Sequence, residues 1–237
     1  MADGAAGRYL AIADHGLIGD LRSVALVGVN GTIDWYCCPR FDSPSVFASL
    51  LDADRGGKFE LAPTVPAETK QFYFPDTNVL ITRFYAYDGV GEIQDFMPIV
   101  GDPTEAGRHR LIRRVLCVRG KLPFAALVAP RFDYGRAHHE VRCDGDRTVF
   151  GCHMLTLALT SSVEVTVDGG DARAEFTLAE GETAVFALDR VSDELRPGPA
   201  RWPRRRSSSP RPCATGGAGW PARATGAGGG RWCTARR

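Results

Sequence analysis

Within the nine positions from Asp34 to Asp42, five residues could contact a ligand: the carboxylates Asp34 and Asp42, the guanidinium of Arg40 and the rings of Trp35 and Phe41. Aromatic faces stack on a sugar ring, and Arg and Asp bind hydroxyls, so this set suits a carbohydrate contact. The same residues also have a plain structural use, in which Arg40 and Asp42 fix a loop and the rings fill a core. His15 lies between Asp14 and Gly16. It can polarise a hydroxyl, but a structural hydrogen bond is the reading favoured.

Other titratable groups offer less. Glu92 and Asp95 are the nearest thing to a carboxylate pair. A spacing of three within a strand puts them on opposite faces, which rules them out as a catalytic dyad. Asp95, among Ile93, Phe96 and Met97, reads as a buried, paired carboxylate. His138-His139 has no supporting Cys or carboxylate pattern and reads as a solvated turn, so no metal is expected. Nothing in the sequence calls for a cofactor. Cys37-Cys38 lacks a nearby base and is expected to pack. The seven Cys include no C-x-x-C pair, and no signal peptide opens the chain. That combination points to reduced thiols in a cytoplasmic protein. No apolar run approaches the ~20 residues of a membrane span.

The elements that must position these residues read as strands. Asn30-Gly31 between Val24–Val29 and Thr32–Cys37 is a strong hairpin cue, because both turn residues need positive φ. Ser43 as N-cap and Pro44 at the first helical position predict one short helix over Val46–Leu51, ended by Gly56-Gly57. Further strands are expected at 78–87 and 92–100. A hairpin is expected from 110–119 and 122–131 about a Gly120-Lys121 turn, and four more strands at 154–160, 163–168, 172–178 and 183–188. About ten short strands with one short helix predict an all-β, antiparallel sandwich.

From Arg196 onward the composition changes. This tail holds ten Arg and no Asp, Glu or Lys, which leaves residues 1–195 at −9 within a chain of net charge +1. It contains no Leu, Ile, Val, Phe, Tyr or Met, so it cannot bury enough apolar surface to offset ordering and is expected to be disordered. The organisation read from sequence is a flexible N-terminus over 1–8, a β-sandwich over 9–195 and a tail over 196–237.

The run Ile12-Ala13-Asp14-His15-Gly16-Leu17-Ile18-Gly19-Asp20-Leu21-Arg22 is followed by Gly31-Thr32-Ile33-Asp34-Trp35-Tyr36-Cys37 and Pro39-Arg40-Phe41-Asp42-Ser43-Pro44-Ser45. It closely resembles the start of bacterial glycoside hydrolase family 15 proteins, the trehalase/glucoamylase-like group. The similarity is dense over residues 9–60 and extends more loosely to about 195, through Gln94-Asp95-Phe96-Met97-Pro98.

The resemblance implies a supersandwich-like N-terminal domain ahead of an (α/α)6 barrel. Two Glu of that barrel would perform inverting hydrolysis of an α-glucoside, trehalose or a maltooligosaccharide, one as acid and one as base. Those helices are not in this chain, so no residue here is given a catalytic role. Asp34, Trp35, Arg40, Phe41, Asp42 and His15 become candidates for the substrate entrance. The tail has the residues of GC-only codons. Back-translated and read in a shifted frame it yields Trp-Arg-Glu-Met-Val-His-Arg-Ser-Ala, which is similar to the start of the family's helical domain. A lost reading frame between about Leu195 and Arg206 is therefore expected, and it removes the reason to assign the Arg-rich tail a nucleic-acid partner. The alternative is a stand-alone carbohydrate-binding or protein-interaction module. In either case a sandwich without its barrel is expected to self-associate through the exposed face.

Overall fold

The computed structural model describes residues 9–99, 109–144, 146–191 and 212–213. The flexible N-terminus expected over 1–8 and most of the expected tail lie outside these residues. The described chain forms strands β1 (His15–Gly19), β2 (Val24–Gly28), β3 (Thr32–Cys37), β4 (Ser45–Phe47), β5 (Lys58–Pro63), β6 (Ala67–Tyr73), β7 (Leu80–Ala86) and β8 (Gly89–Phe96). There follow β9 (Leu111–Ala129), β10 (Glu140–Asp144), β11 (Arg147–Gly151), β12 (Thr156–Ser161), β13 (Val165–Asp168), β14 (Asp171–Ala179), β15 (Thr183–Arg190) and β16 (Pro212–Cys213).

The expected all-β antiparallel architecture is present, with two layers sharing one strand. One layer runs β1-β2-β3-β5-β9-β14-β13, with β4 on β3 and β16 on β13. The other runs β6-β7-β8-β9-β15-β12-β11-β10. Strand β9 belongs to both. Its first half pairs with β8 and β15, and its second half with β5 and β14.

This sharing corrects the hairpin expected about Gly120-Lys121. Before the bend the odd residues Leu111, Arg113, Val115 and Cys117 are buried; after it the even residues Leu122, Phe124, Ala126 and Val128 are. The inward parity flips across four exposed residues, Val118–Lys121. Gly120 takes φ +76°, and a Cβ there would overlap the Asp88 carbonyl oxygen. Glycine thus turns a continuous strand from one layer into the other rather than back on itself.

The short helix expected over Val46–Leu51 is also corrected. Ser45–Phe47 pairs with β3, Tyr36 opposite Phe47 and Cys37 opposite Ser45. Val46 and Phe47 are both buried. Burial on both sides favours an extended segment, and the Ser-Pro signal serves a turn in which the Arg40 N–H donates to Ser43 Oγ at 3.1 Å. The only helical turn among the described residues is a 3-10 turn at Ile12–Asp14.

The core is closed across the layers. Phe59 of β5 meets Phe186 of β15 edge to face at 6.2 Å. Arg113, with no exposed surface, donates from Nε to Asp95 Oδ1 at 2.8 Å and from an Nη atom to Asp95 Oδ2 at 3.1 Å. It also donates to the carbonyls of Phe59 and Gly31 in the facing layer, each at 2.7 Å. Asp95 is the buried, paired carboxylate expected. Glu92 faces the other way and is paired with Arg83.

Candidate functional site

Strand β3 carries the central candidates because of an irregularity. Ile33 and Tyr36 are both fully buried although three apart, which plain alternation forbids. The pairing with β2 absorbs the mismatch: Leu26 lies opposite Trp35 while Val27 lies opposite Ile33, so Asp34 is the extra residue of a β-bulge. The bulge puts Asp34 and Trp35 together on the outward side. Trp35 is half-buried and tilted against Tyr134, with centroids 6.3 Å apart. Leu26 and the half-exposed Leu17 continue the row across β2 and β1.

His15 opens β1 opposite Gly28. Its imidazole meets Asp34 on β3. The Nε2 to Asp34 Oδ2 distance is 2.7 Å, and Nδ1 lies 2.9 Å from the Ala11 carbonyl oxygen. The His15 side chain is 3% exposed and that of Asp34 12%. Asp34 Oδ1 is buried with no hydrogen-bond partner.

Burial opposes protonation of His15, but the Asp34 hydrogen bond and charge, with the Ala11 and Ile12 carbonyls, outweigh it and raise its pKa above the usual 6.5. Burial pushes the Asp34 carboxyl up as well, and His15 reverses only part of that effect. Both ring nitrogens are occupied, so the imidazole has no atom free to take a proton from a substrate. The arrangement positions Asp34 and Trp35 rather than performing general acid–base chemistry.

Arg40, Phe41 and Asp42 are not part of this cluster. They lie in the loop after β3, where the Phe41 N–H donates to the Arg22 carbonyl at 2.9 Å beside the β1–β2 turn. Arg40 and Asp42 pair with each other at 3.0 Å, 67% and 53% exposed, a geometry worth little in water. Phe41 is 68% exposed, so it does not fill the core. The candidates thus divide into a cluster of the buried His15 and Asp34 side chains with the half-buried Trp35, and an exposed loop.

Among the remaining titratable groups, His139 is not in a solvated turn. It packs edge-on against Phe132 at 5.6 Å, and its Nε2 lies 3.0 Å from the Gly170 carbonyl oxygen. The apolar Phe132 and Phe150 rings beside it explain the capture. Cys38 packs in the core as expected, its thiol pushed up to about 12 by burial. Cys143, exposed on β10, is disulfide-bonded, so the expectation of reduced thiols fails there. Sequence reasoning passed over Tyr134, the ring against Trp35. Its signal was the Asp133-Tyr134-Gly135 turn, all three at positive φ, which lifts Tyr134 toward β3.

No helix among the described residues is long and apolar enough to cross a membrane. The sequence model of the trehalase-like N-terminal domain matches residues 5–212. The trehalase of Mycolicibacterium smegmatis is 32% identical over 205 residues, covering 75% of this chain and 30% of that protein. The trehalase of Thermoplasma volcanium is 43% identical over 162 residues, 65% of this chain and 25% of that protein. The chain therefore spans about 30% of the length of the M. smegmatis relative it matches. An all-β chain matched along most of its length in this way belongs to the trehalase-like N-terminal domain family.

Proposed function

We propose that this chain is the non-catalytic N-terminal domain of an inverting α-glucoside hydrolase of glycoside hydrolase family 15, acting on trehalose or a maltooligosaccharide. Its role is to support an (α/α)6 catalytic barrel and to shape the active-site entrance with His15, Asp34 and Trp35, the Arg40–Phe41–Asp42 loop forming a second, exposed contact. The observation that carries this reading is the match of residues 5–212 to a domain that makes up under a third of the related trehalases.

The carboxylates support a non-catalytic role. Inverting hydrolysis needs an acid and a base about 6.5–9.5 Å apart across one sugar. Asp95 is buried and bound to Arg113, Glu92 is bound to Arg83 on the opposite face, and Asp34 is held by His15. The purified 237-residue chain is expected to release no glucose from trehalose or maltose, and measurable release would overturn the reading. In the same proposal the sequence that follows a frame loss between about Leu195 and Arg206 is out of frame. Reading the gene downstream of the Leu195 codon tests this, and it fails unless a shifted frame stays open into a helical domain.

A second reading, a stand-alone carbohydrate-binding module, is favoured by the aromatic rows left open on both layers. Besides Trp35, Phe72 and Tyr85 are 39% and 38% exposed on β6 and β7, beside Arg83 and Lys70 respectively. Saturable binding of maltooligosaccharides without turnover, abolished by Trp35→Ala or Phe72→Ala, would favour it.

A further inference from the structure

We propose that His15 and Asp34 form a proton-holding staple that fastens the N-terminal segment to the β3 bulge and makes the shape of the Trp35 surface depend on pH. The geometry requires a shared proton. The Ala11 carbonyl can only accept, so His15 Nδ1 carries a hydrogen and donates it across 2.9 Å. At Nε2, 2.7 Å from Asp34 Oδ2, either the ring donates to a carboxylate or a protonated Asp34 donates to the ring. In both forms the pair holds one proton more than a neutral imidazole and a free carboxylate would. Without it, the ring keeps a single N–H, which can face Asp34 or the Ala11 carbonyl but not both, and the other nitrogen's lone pair then meets an acceptor oxygen. Asp34 Oδ1 gives no relief, since it is buried and has no donor of its own. The deprotonated ring therefore releases one of its two partners.

Release has a consequence at either end. Where Nδ1 lets go, Ala11 loses its hold and with it the 3-10 turn Ile12–Asp14. The Asp34 carbonyl receives the Leu50 N–H at 3.1 Å, and Asp34 shares the bulge with Trp35, so movement there displaces the Trp35–Tyr134 pair.

The surroundings leave the two groups to each other. Strand β2, between them, carries no charged residue. Asp14 is exposed on the segment before β1. Lys58 and Glu60 of β5 pair at 2.6 Å, and Asp52 in the turn after β4 pairs with Arg55 at 2.9 Å, near Asp54. Across the core from β1, Arg83 pairs with Glu92 and Asp95 with Arg113. The neighbouring phenols are Tyr9, which accepts from the Ala53 N–H, Tyr73, bonded to the Leu17 backbone, and Tyr134. The raised pKa of His15 agrees in direction. The functional consequence rests on reading this face as the substrate entrance; the position of the proton does not.

The test is a nuclear magnetic resonance titration of the 237-residue chain from about pH 5 to pH 9. It follows the His15 ring nitrogens, the Leu50 amide and the Trp35 indole. The expected result is a His15 midpoint above the ordinary 6.5, with Leu50 and Trp35 moving at that same midpoint. In Asp34→Asn the His15 midpoint falls by about one pH unit or more, as loss of a contacting charge dictates. A wild-type midpoint at or below 6.5, or no common transition at Leu50 and Trp35, overturns the staple. An unchanged His15 midpoint in a folded Asp34→Asn chain overturns Asp34 as its partner. The wild-type titration decides by itself if that variant does not fold. Because no sugar or glucose release is read, its failure is distinct from failure of the enzyme-domain reading.

Discussion

Replacing Asp95 by Asn tests how the two layers are locked. Arg113 makes four hydrogen bonds with no exposed surface: two to Asp95 and one each to the Phe59 and Gly31 carbonyls. The Asn side chain keeps one acceptor but turns its amide donors toward a guanidinium that also only donates. It removes the counter-charge as well, leaving a buried cation. Breaking a buried pair from one side costs about 3–5 kcal/mol, a large share of the ~5–15 kcal/mol that holds a domain folded. With ~2 kcal/mol per M in urea, the midpoint is expected to drop by roughly 2 M. At ~2–4 °C per kcal/mol, Tm is expected to fall by roughly 6–20 °C. Asp95→Leu combined with Arg113→Met restores only part of the loss. The Phe59 and Gly31 carbonyls then lose the Arg113 donor, at up to about 1–3 kcal/mol each and less at Gly31, which keeps the Leu61 N–H at 3.2 Å. Urea unfolding followed by far-ultraviolet circular dichroism measures all three proteins. A loss below about 1 kcal/mol for Asp95→Asn would refute the reasoning, because it would mean the guanidinium does not depend on that carboxylate for compensation.

Gly120→Ala should destabilise by about 1–3 kcal/mol, since φ is +76° and a Cβ meets the Asp88 carbonyl; urea midpoints measure it, and a neutral result would mean the bend relaxes elsewhere. Tyr73→Phe removes a hydroxyl that accepts from the Leu17 N–H at 2.9 Å and donates to its carbonyl at 2.8 Å. The loss should be about 1 kcal/mol, and the bared edge of β1 should increase self-association in sedimentation velocity. Burial, aided by the Arg131 charge and opposed by the Gly170 carbonyl, lowers the pKa of His139 below 6.5. The neutral form is thus favoured in the fold, so its contribution is full above pH 6.5 and is lost as pH falls below that value. A His139→Gln chain should lack this acid-side slope in stability measured between about pH 5 and pH 8.

How much of the fold was legible depended on whether burial followed one local period. The Asn30-Gly31 hairpin was, because the turn signal and the flanking β-branched residues agree, although only Gly31 (φ +81°) and not both turn residues takes the positive φ expected. The strands β13 and β14 were, since each buries one face and ends in a Gly, Asp or Glu turn. β6 was missed because Ala67–Tyr73 lies at a sheet edge with no buried residue, and Glu68 and Lys70 read as loop while they protect that edge. β4 was read as a helix because its cap signals are local, whereas the pairing that makes it a strand comes from β3. At Gly120 the tripeptide environment is the same for a turn and for a strand that changes sheets. Only the parity of buried residues on either side separates the two, odd through Cys117 and even from Leu122.

The same limit governs the candidate site. Asp34 and Trp35 stood out by residue type, but alternation would have sent them to opposite faces. The spacing of Ile33 and Tyr36, both needed inside, forces a bulge and brings the carboxylate and the indole to one side. Once they are there, Asp34 is buried and needs a donor, which His15 supplies from the start of β1. His15 therefore follows from the packing of β3, although the two lie nineteen positions apart. Arg40, Phe41 and Asp42, nearer in sequence, leave the sheet after Cys37 and form a separate exposed loop. Proximity along the chain does not find the partner of Asp34; the buried positions of β3 select it. It follows that Ile33→Thr should disturb the His15 titration as well as stability, even though Ile33 touches the core and carries no charge. Retention of the wild-type His15 midpoint in that variant would mean that the bulge does not set the His15–Asp34 geometry.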